Sequence, residues 1–261
     1  MIVVKFGGHA MKDENGSFAK AIAAAQHSGV KLVVVHGGGP QIDAALKAEE
    51  ILSEFIGGFR VTTREIFEVV ERVLVDEVGP GVVNSLRAAG VNAVALSGRQ
   101  SESLIAAPLR NLVDGSPADL GLVGVITAVN PQAINSALKG GQVPVISPIA
   151  TDENFKGGLN VNADLAAAAI AGALNAESLI IMTDVDGIYR SWPDTSTLIS
   201  AISYAELDAL KSTFAEGMAP KVKACLDAID GGARAVRIID GTDPSAFAMA
   251  LGNSGGTLVT K

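Results

Sequence analysis

Residues 33–43 read Val33-Val34-Val35-His36-Gly37-Gly38-Gly39-Pro40-Gln41-Ile42-Asp43, a β-branched run that passes through one histidine into three glycines and a proline. The run predicts a buried strand, and Pro40 suits the first turn of a helix, where its missing N–H costs nothing. Three backbone amides without side-chain cover then stand at the positive end of that helix, an arrangement that binds phosphate or carboxylate. Glycines that merely turn the chain are the competing explanation. That explanation is stronger at Gly7-Gly8, where a shorter copy of the device follows Ile2-Val-Val-Lys5-Phe6. Neither loop is a Walker A, because no Gly-Lys dipeptide occurs in the chain, and no glycine stands at 42 to complete a dinucleotide-binding fingerprint.

Working outward, buried strands are expected at residues 2–6, 31–35, 93–96, 143–146, 179–183 and 235–240. Helical patterns lie near 17–27, 41–48, 63–76, 131–139, 164–174, 204–210 and 221–229. This alternation predicts an α/β fold with a mainly parallel sheet covered by helices on both faces. Residues 98–121 have weaker periodicity and contain Pro108 and Gly115-Ser-Pro117, which predicts a hairpin or an irregular insertion. No repeat or linker tract interrupts the chain. Two lobes on one continuous sheet are expected, residues 1–175 and 176–261.

The chain has 261 residues, long enough for a sizeable core, and is 48% hydrophobic with only 18% charged residues, which excludes disorder. Its longest apolar run, 165–174, is mostly alanine and too short to span a membrane, which takes roughly 20 residues. No signal peptide is legible and Cys225 is the lone cysteine, so a soluble, cytoplasmic protein is expected. With 28 acidic against 20 basic residues and a net charge of −8, the chain offers no broad basic face, and nucleic acid is excluded as a partner. Three histidines and one cysteine cannot furnish a zinc site or a general thiol chemistry. Catalysis must rest on lysine, aspartate, backbone amides or a bound metal.

Lys5 ends an apolar strand just before Gly7-Gly8, at the sheet edge where α/β proteins bind ligands. Burying it is costly unless it meets an anion; an edge strand from which it snorkels is the alternative. Asn160-Val-Asn162-Ala-Asp164 precedes a helix, and its simplest reading is an N-cap followed by a first-turn acid. Thr183-Asp184-Val-Asp186-Gly187-Ile-Tyr189 ends a strand with two acids and a glycine, suited to a nucleotide or metal loop and equally to a tight turn. Gly217-Met-Ala-Pro220-Lys221 sets a lysine at a helix start, where the dipole disfavours it unless a negative group is near. Gly252-Asn-Ser254-Gly-Gly256 mimics a nucleophile elbow, but every histidine precedes residue 37, and that fold needs one after the serine. Two lysines, an aspartate and two anion loops without a histidine base form the equipment of phosphoryl transfer, which depends on positioning and charge stabilisation.

In this order, Lys5-Phe-Gly-Gly-His9, His36-Gly-Gly-Gly-Pro-Gln-Ile42, Gly58-Phe-Arg60-Val-Thr62, Leu120-Gly-Leu-Val-Gly124 and the three motifs just quoted at 160, 183 and 217 resemble the N-acetylglutamate kinases of the amino acid kinase superfamily. The resemblance spans essentially the whole chain. It implies a three-layer αβα sandwich with an open, mainly parallel sheet, and phosphorylation of the γ-carboxylate of N-acetyl-L-glutamate by MgATP in arginine biosynthesis. On matching positions, it implies that Lys5 and Lys221 neutralise the phosphoryl group, that Asp164 holds both, and that Gly8 and Gly39 donate amide N–H groups. It implies that Gly38 and Gly39 line the acetylglutamate site, that Arg60 and Asn160 grip the substrate's α-carboxylate region, and that Asn162 supports them. Asp184, Val185, Asp186, Gly187, Ile188 and Tyr189, with Thr213, Phe214 and Ala215, would border ATP. The metal would be held mainly by nucleotide phosphates, with no protein metal ligand. The start of the sequence so close to Lys5 suggests a homodimer without arginine feedback. The sequence departs from many relatives at His9, at Asn84-Ser85 and at Arg99-Gln100-Ser101.

Two alternatives stay open. A kinase for a carrier-protein-linked aminoadipate or glutamate would typically show Arg-Ser-Arg and Asp-Gly-Asp where Gly58-Phe-Arg60 and Asn162-Ala-Asp164 stand. A non-catalytic amino-acid sensor of the same fold would lose a lysine or the aspartate, and all three are present.

Overall fold

A computed structural model describes residues 1–8, 11, 13, 15–154, 157–214 and 217–261. The chain begins with β1 (Ile2–Phe6), α1 (Ser17–His27), β2 (Leu32–His36), α2 (Gly39–Ala48) and the short strands β3 (Phe55–Ile56) and β4 (Phe59–Arg60). Then come α3 (Arg64–Arg72), a π-helical turn (Val73–Val78), α4 (Gly79–Ala88), β5 (Ala93–Ser97), β6 (Leu104–Pro108) and β7 (Val123–Val129). They are followed by α5 (Gln132–Lys139), β8 (Val143–Ser147), β9 (Ile149–Asp152), β10 (Gly158–Val161) and α6 (Ala163–Ala173). The remainder is β11 (Ser178–Thr183), β12 (Ala201–Ser203), α7 (Tyr204–Leu210), α8 (Ala219–Asp230), β13 (Ala235–Asp240), α9 (Ala246–Leu251) and β14 (Thr257–Thr260).

The main sheet has the order β12-β14-β13-β11-β1-β2-β8-β5 and is parallel except where β14 runs against β13. Its centre is the pair β1 and β2, in register from Ile2 opposite Leu32 to Phe6 opposite His36. These strands are β-branched and apolar on successive residues because both faces are covered. Val33 and Val35 face one core with Ala167, Ile170 and Val222 of α6 and α8; Leu32 and Val34 face the other with Ile22, Val70 and Leu86. Each such fully buried aliphatic side chain contributes about 1.5–3 kcal/mol. Alanine fills α6 because that helix lies close to α8: a Cβ on Gly172 would stand 2.9 Å from the Cα of Gly231.

One expectation needs correction and another gains detail. The helix foreseen over 63–76 stops at Arg72, widens into the π turn and resumes as α4. Gly79-Pro80-Gly81 reads as a helix breaker, but Pro80 occupies the first turn of α4, where its lost N–H is harmless. Over 98–121, the structure places β6, which returns antiparallel to β7 with a register shift between Ile105 and Ala106. These two strands close a small four-stranded barrel with β9 and β10.

Candidate active site

The parallel strands β1, β2 and β11 deliver Lys5, His36-Gly37 and Thr183-Asp184 to one edge of the sheet, the place where open α/β sheets bind ligands. Lys5 is buried there. Its Nζ lies 3.1 Å from Oδ1 of Asp164 and donates to the carbonyl of Met182 at 3.2 Å. Oδ2 of Asp164 accepts from Lys221 Nζ at 2.9 Å. One carboxylate therefore holds two ammonium groups brought from residues 5 and 221. Lys5 approaches Oδ1 as an ion pair, and among the described residues no donor is aligned on that buried oxygen.

Local structure explains this placement. Asn162 caps α6, its Oδ1 accepting from the amides of Asp164 at 2.9 Å and Leu165 at 3.2 Å, so the helix cap read from the sequence is present. Asp164 then projects from the first turn, where the dipole also favours a carboxylate. Burial opposes its ionisation, but the ammonium groups of Lys5 and Lys221 prevail and hold its carboxyl at about 2. Asp164 correspondingly raises Lys221, which bears the unfavourable helix-start position because its counter-ion is at hand. Gly7 is needed for space: a Cβ there would stand 2.7 Å from Lys5 Nζ. Gly8 turns at φ +65°, with Asp184 Oδ1 3.0 Å from where its Cβ would be.

Lys5, Gly8, Gly38, Gly39, Arg60, Asn160, Asn162, Asp164 and Lys221 all line one cavity of about 260 Å³. Arg60 is buried at its far side, with Nη2 2.8 Å from Asp43 Oδ1, Nη1 donating to Ser53 Oγ at 2.7 Å and the guanidinium 4.5 Å over the Phe55 ring. Asn160 Nδ2 donates to Thr62 Oγ1 at 3.1 Å, and that hydroxyl donates to the Arg60 carbonyl at 2.8 Å. Thr62 thus ties these two cavity-lining residues together. It stands in the Gly58-Phe-Arg60-Val-Thr62 motif, but sequence reasoning gave it no role.

A second cavity of about 590 Å³ adjoins, lined by Val185, Tyr189, Thr213 and Phe214, and by Lys221 again. Trp192, Arg190 and Met218 also line it and were missed. Of the 184–189 turn, only Val185 and Tyr189 line this cavity. Asp186 instead accepts from the Tyr189 hydroxyl at 2.7 Å, and the fully buried Ile188 donates its amide to Thr257 at 2.8 Å. Gly187 packs against the same threonine, where a Cβ would come within 2.4 Å of its hydroxyl. These three shape the turn that presents Val185 and Tyr189. Asp184 lies nearer Gly8 and adds to the field on Lys221. Ala215 and His9 fall outside the described residues. Cys225 is buried and burial pushes its thiol up, so it is no nucleophile.

His36 is fully buried, which lowers its pKa to about 4. Between pH 6.5 and 4 the unfolded chain binds the proton that the folded one refuses, so stability must rise with pH across that window. Urea unfolding is expected to show roughly 3 kcal/mol lost from this residue as pH falls from 6.5 to about 4. His36→Asn removes that part of the slope; an unaltered slope would assign it elsewhere.

The chain belongs to the amino acid kinase family, whose sequence profile matches residues 1–240. Its relatives include particular enzymes named acetylglutamate kinase. That of Beutenbergia cavernae is 46% identical over 254 residues, covering 96% of this chain and 81% of its own. That of Nocardia farcinica is 45% identical over 266 residues, covering 100% and 87%. Among solved structures, a Streptococcus mutans protein superposes with a TM-score of 0.82 at 30% identity, covering 99% of this chain and 98% of its own.

Proposed function

We propose that this chain transfers the γ-phosphoryl group of ATP to the γ-carboxylate of N-acetyl-L-glutamate, giving N-acetyl-L-glutamyl 5-phosphate, the second step of arginine biosynthesis by the acetylated route. The observation that carries the reading is Lys221, which lines both cavities while Asp164 clamps it beside Lys5. A phosphoryl group passing from the larger cavity to the smaller must cross that pair of cations. The accepting carboxylate is already ionised at pH 7, so no general base is required. Lys5 and Lys221 offset the charge spread over the transferring oxygens, and the amides of Gly8 and Gly39 donate to them. Arg60 and Asn160 hold the α-carboxylate end of the acceptor, a task that suits a guanidinium.

ATP occupies the cavity bordered by Val185, Tyr189, Thr213 and Phe214. Mg²⁺ would be carried mainly on the nucleotide phosphates. Mg²⁺ there adds positive charge to the phosphates. We assign acetylglutamate binding and dimerisation to residues 1–175 and nucleotide binding to 176–261, and place the enzyme as a homodimer in the cytoplasm. Among the described residues no helix is long and apolar enough to cross a membrane.

Trapping the acyl phosphate with hydroxylamine tests the reading. Hydroxamate should form with acetylglutamate, ATP and Mg²⁺, and barely with glutamate, aspartate or carbamate. Strong aspartate turnover, or none with acetylglutamate, overturns it.

A further inference from the structure

His36 is fully buried at the end of β2, and neither cavity includes it. Its Nδ1 lies 2.7 Å from the carbonyl oxygen of Gly37, and its Nε2 lies 2.8 Å from Ser147 Oγ. Ser147 ends the neighbouring strand β8, and its hydroxyl lies 3.1 Å from the carbonyl of Leu74 in the π turn. The proton count selects one arrangement. The Gly37 carbonyl can only accept, so Nδ1 carries the proton and donates to it. Nε2 is then the acceptor and receives the hydrogen bond of the Ser147 hydroxyl, while the Leu74 carbonyl is already served by the Gly79 amide. Burial favours the neutral ring that this arrangement requires.

The network meets the anion loop from below. A Cβ on Gly79 would lie 3.2 Å from each of His36 Nε2, Ser147 Oγ and the Leu74 carbonyl, so a side chain there would press on all three. Leu74 itself reaches the loop, its Cδ2 2.5 Å from where a Cβ on Gly38 would stand. Fixing the Gly37 carbonyl fixes the peptide plane it shares with the Gly38 amide, and so the direction in which that N–H points.

We propose that His36 is a positioning residue for phosphoryl transfer: its Nδ1–H holds the Gly37 carbonyl, and its Nε2 accepts from the Ser147 hydroxyl at the end of β8, so that the Gly38 amide faces the acceptor. The inference rests on the kinase reading above. It names a side chain that touches no substrate, and it makes the histidine of the glycine loop part of the alignment of the reaction.

Asparagine and glutamine separate the two ends of the ring. His36→Asn sets an amide N–H near the position of Nδ1, whereas His36→Gln sets its amide near Nε2 and leaves the Gly37 carbonyl without a donor. Acetylglutamate-dependent ADP release, corrected for folded fraction, should give a kcat about 100-fold lower for His36→Gln, as expected when reacting groups shift by an ångström. His36→Asn should recover most of that loss, and the KM for ATP should stay near that of the wild type in both. Equal loss in the two variants, or none in either, overturns the inference. Should a histidine variant fail to fold, Ser147→Ala supplies the reading: kcat should fall by about 10-fold at constant ATP KM, as for partners that orient a ligating group. An unaltered kcat there sinks the proposal. Wild-type protein assayed alongside isolates the kinase reading, which alone fails if the wild type shows no turnover.

Discussion

Replacing Asp164 by alanine should lower kcat by about a thousandfold, the upper range for loss of a preorganised electrostatic element, while acetylglutamate KM changes far less. The split follows from the geometry. On the proposed reading, Arg60, Asn160 and Gly38 hold the acceptor from other elements of the same cavity, whereas Asp164 holds the two cations meant to act as phosphoryl charge is redistributed. Without the carboxylate, two ammonium groups remain together in a site where Lys5 is only 8% and Lys221 18% exposed. Breaking a buried ion pair from one side costs about 3–5 kcal/mol, so the melting temperature should fall as well. Asp164→Asn keeps the shape and the helix start but removes the charge, and should lose kcat nearly as fully with less loss of stability. The carboxyl stands at about 2 in the folded protein against 3.8 in the unfolded chain. Its stabilising effect is therefore complete above pH 3.8 and is lost as pH falls through about 2. Any acid limb of kcat near neutrality must come from another group. A kcat unchanged in Asp164→Ala would reduce this residue to its helix-start role.

The sequence was most legible where one local pattern has one physical solution. The β-branched runs that became β1, β2 and β11 can only be buried strands of a covered sheet, and His36-Gly-Gly-Gly-Pro40 can only turn such a strand into a helix start. Helix α4 was hidden because Gly79-Pro80-Gly81 breaks helices in isolation; the approach of His36 and Ser147 to Gly79 gives the glycine a reason that no local pattern contains. The small barrel was equally obscure, since β9 and β10 are four residues each and gain stability only by pairing with each other and with β6 and β7. In the site, Lys5, Asp164 and Lys221 could be singled out as chemically costly placements. Only tertiary structure brings them within 3.1 Å, because 159 and 57 residues separate the partners in each pair. Trp192 carried no signal, being one apolar residue in a polar loop. Thr62 carried none either, because a buried hydroxyl acquires its role from the Asn160 amide 98 residues away.

Lys5→Arg should be nearly as damaging as Lys5→Ala, each lowering kcat by about 100- to 1,000-fold. Both substitutions remove a point charge, though only one removes the charge altogether. The ammonium of Lys5 fits a narrow space: Asp164 Oδ1 at 3.1 Å, the Met182 carbonyl at 3.2 Å, and the empty side-chain position of Gly7, where a Cβ would stand 2.7 Å from Nζ. A guanidinium is broader and planar and presents its donors in a fixed fork. To fit, it must push the Gly7-Gly8 loop outward or turn away from Asp164, and either movement displaces the amide of Gly8 from the phosphoryl path. Alanine leaves the loop in place but deprives Asp164 of one of its two partners. The variants should therefore differ in stability and converge in rate. Thermal unfolding with initial-rate measurements on the same preparations checks this. A Lys5→Arg enzyme within about threefold of wild-type kcat would mean that positive charge alone, without its placement, suffices at this position.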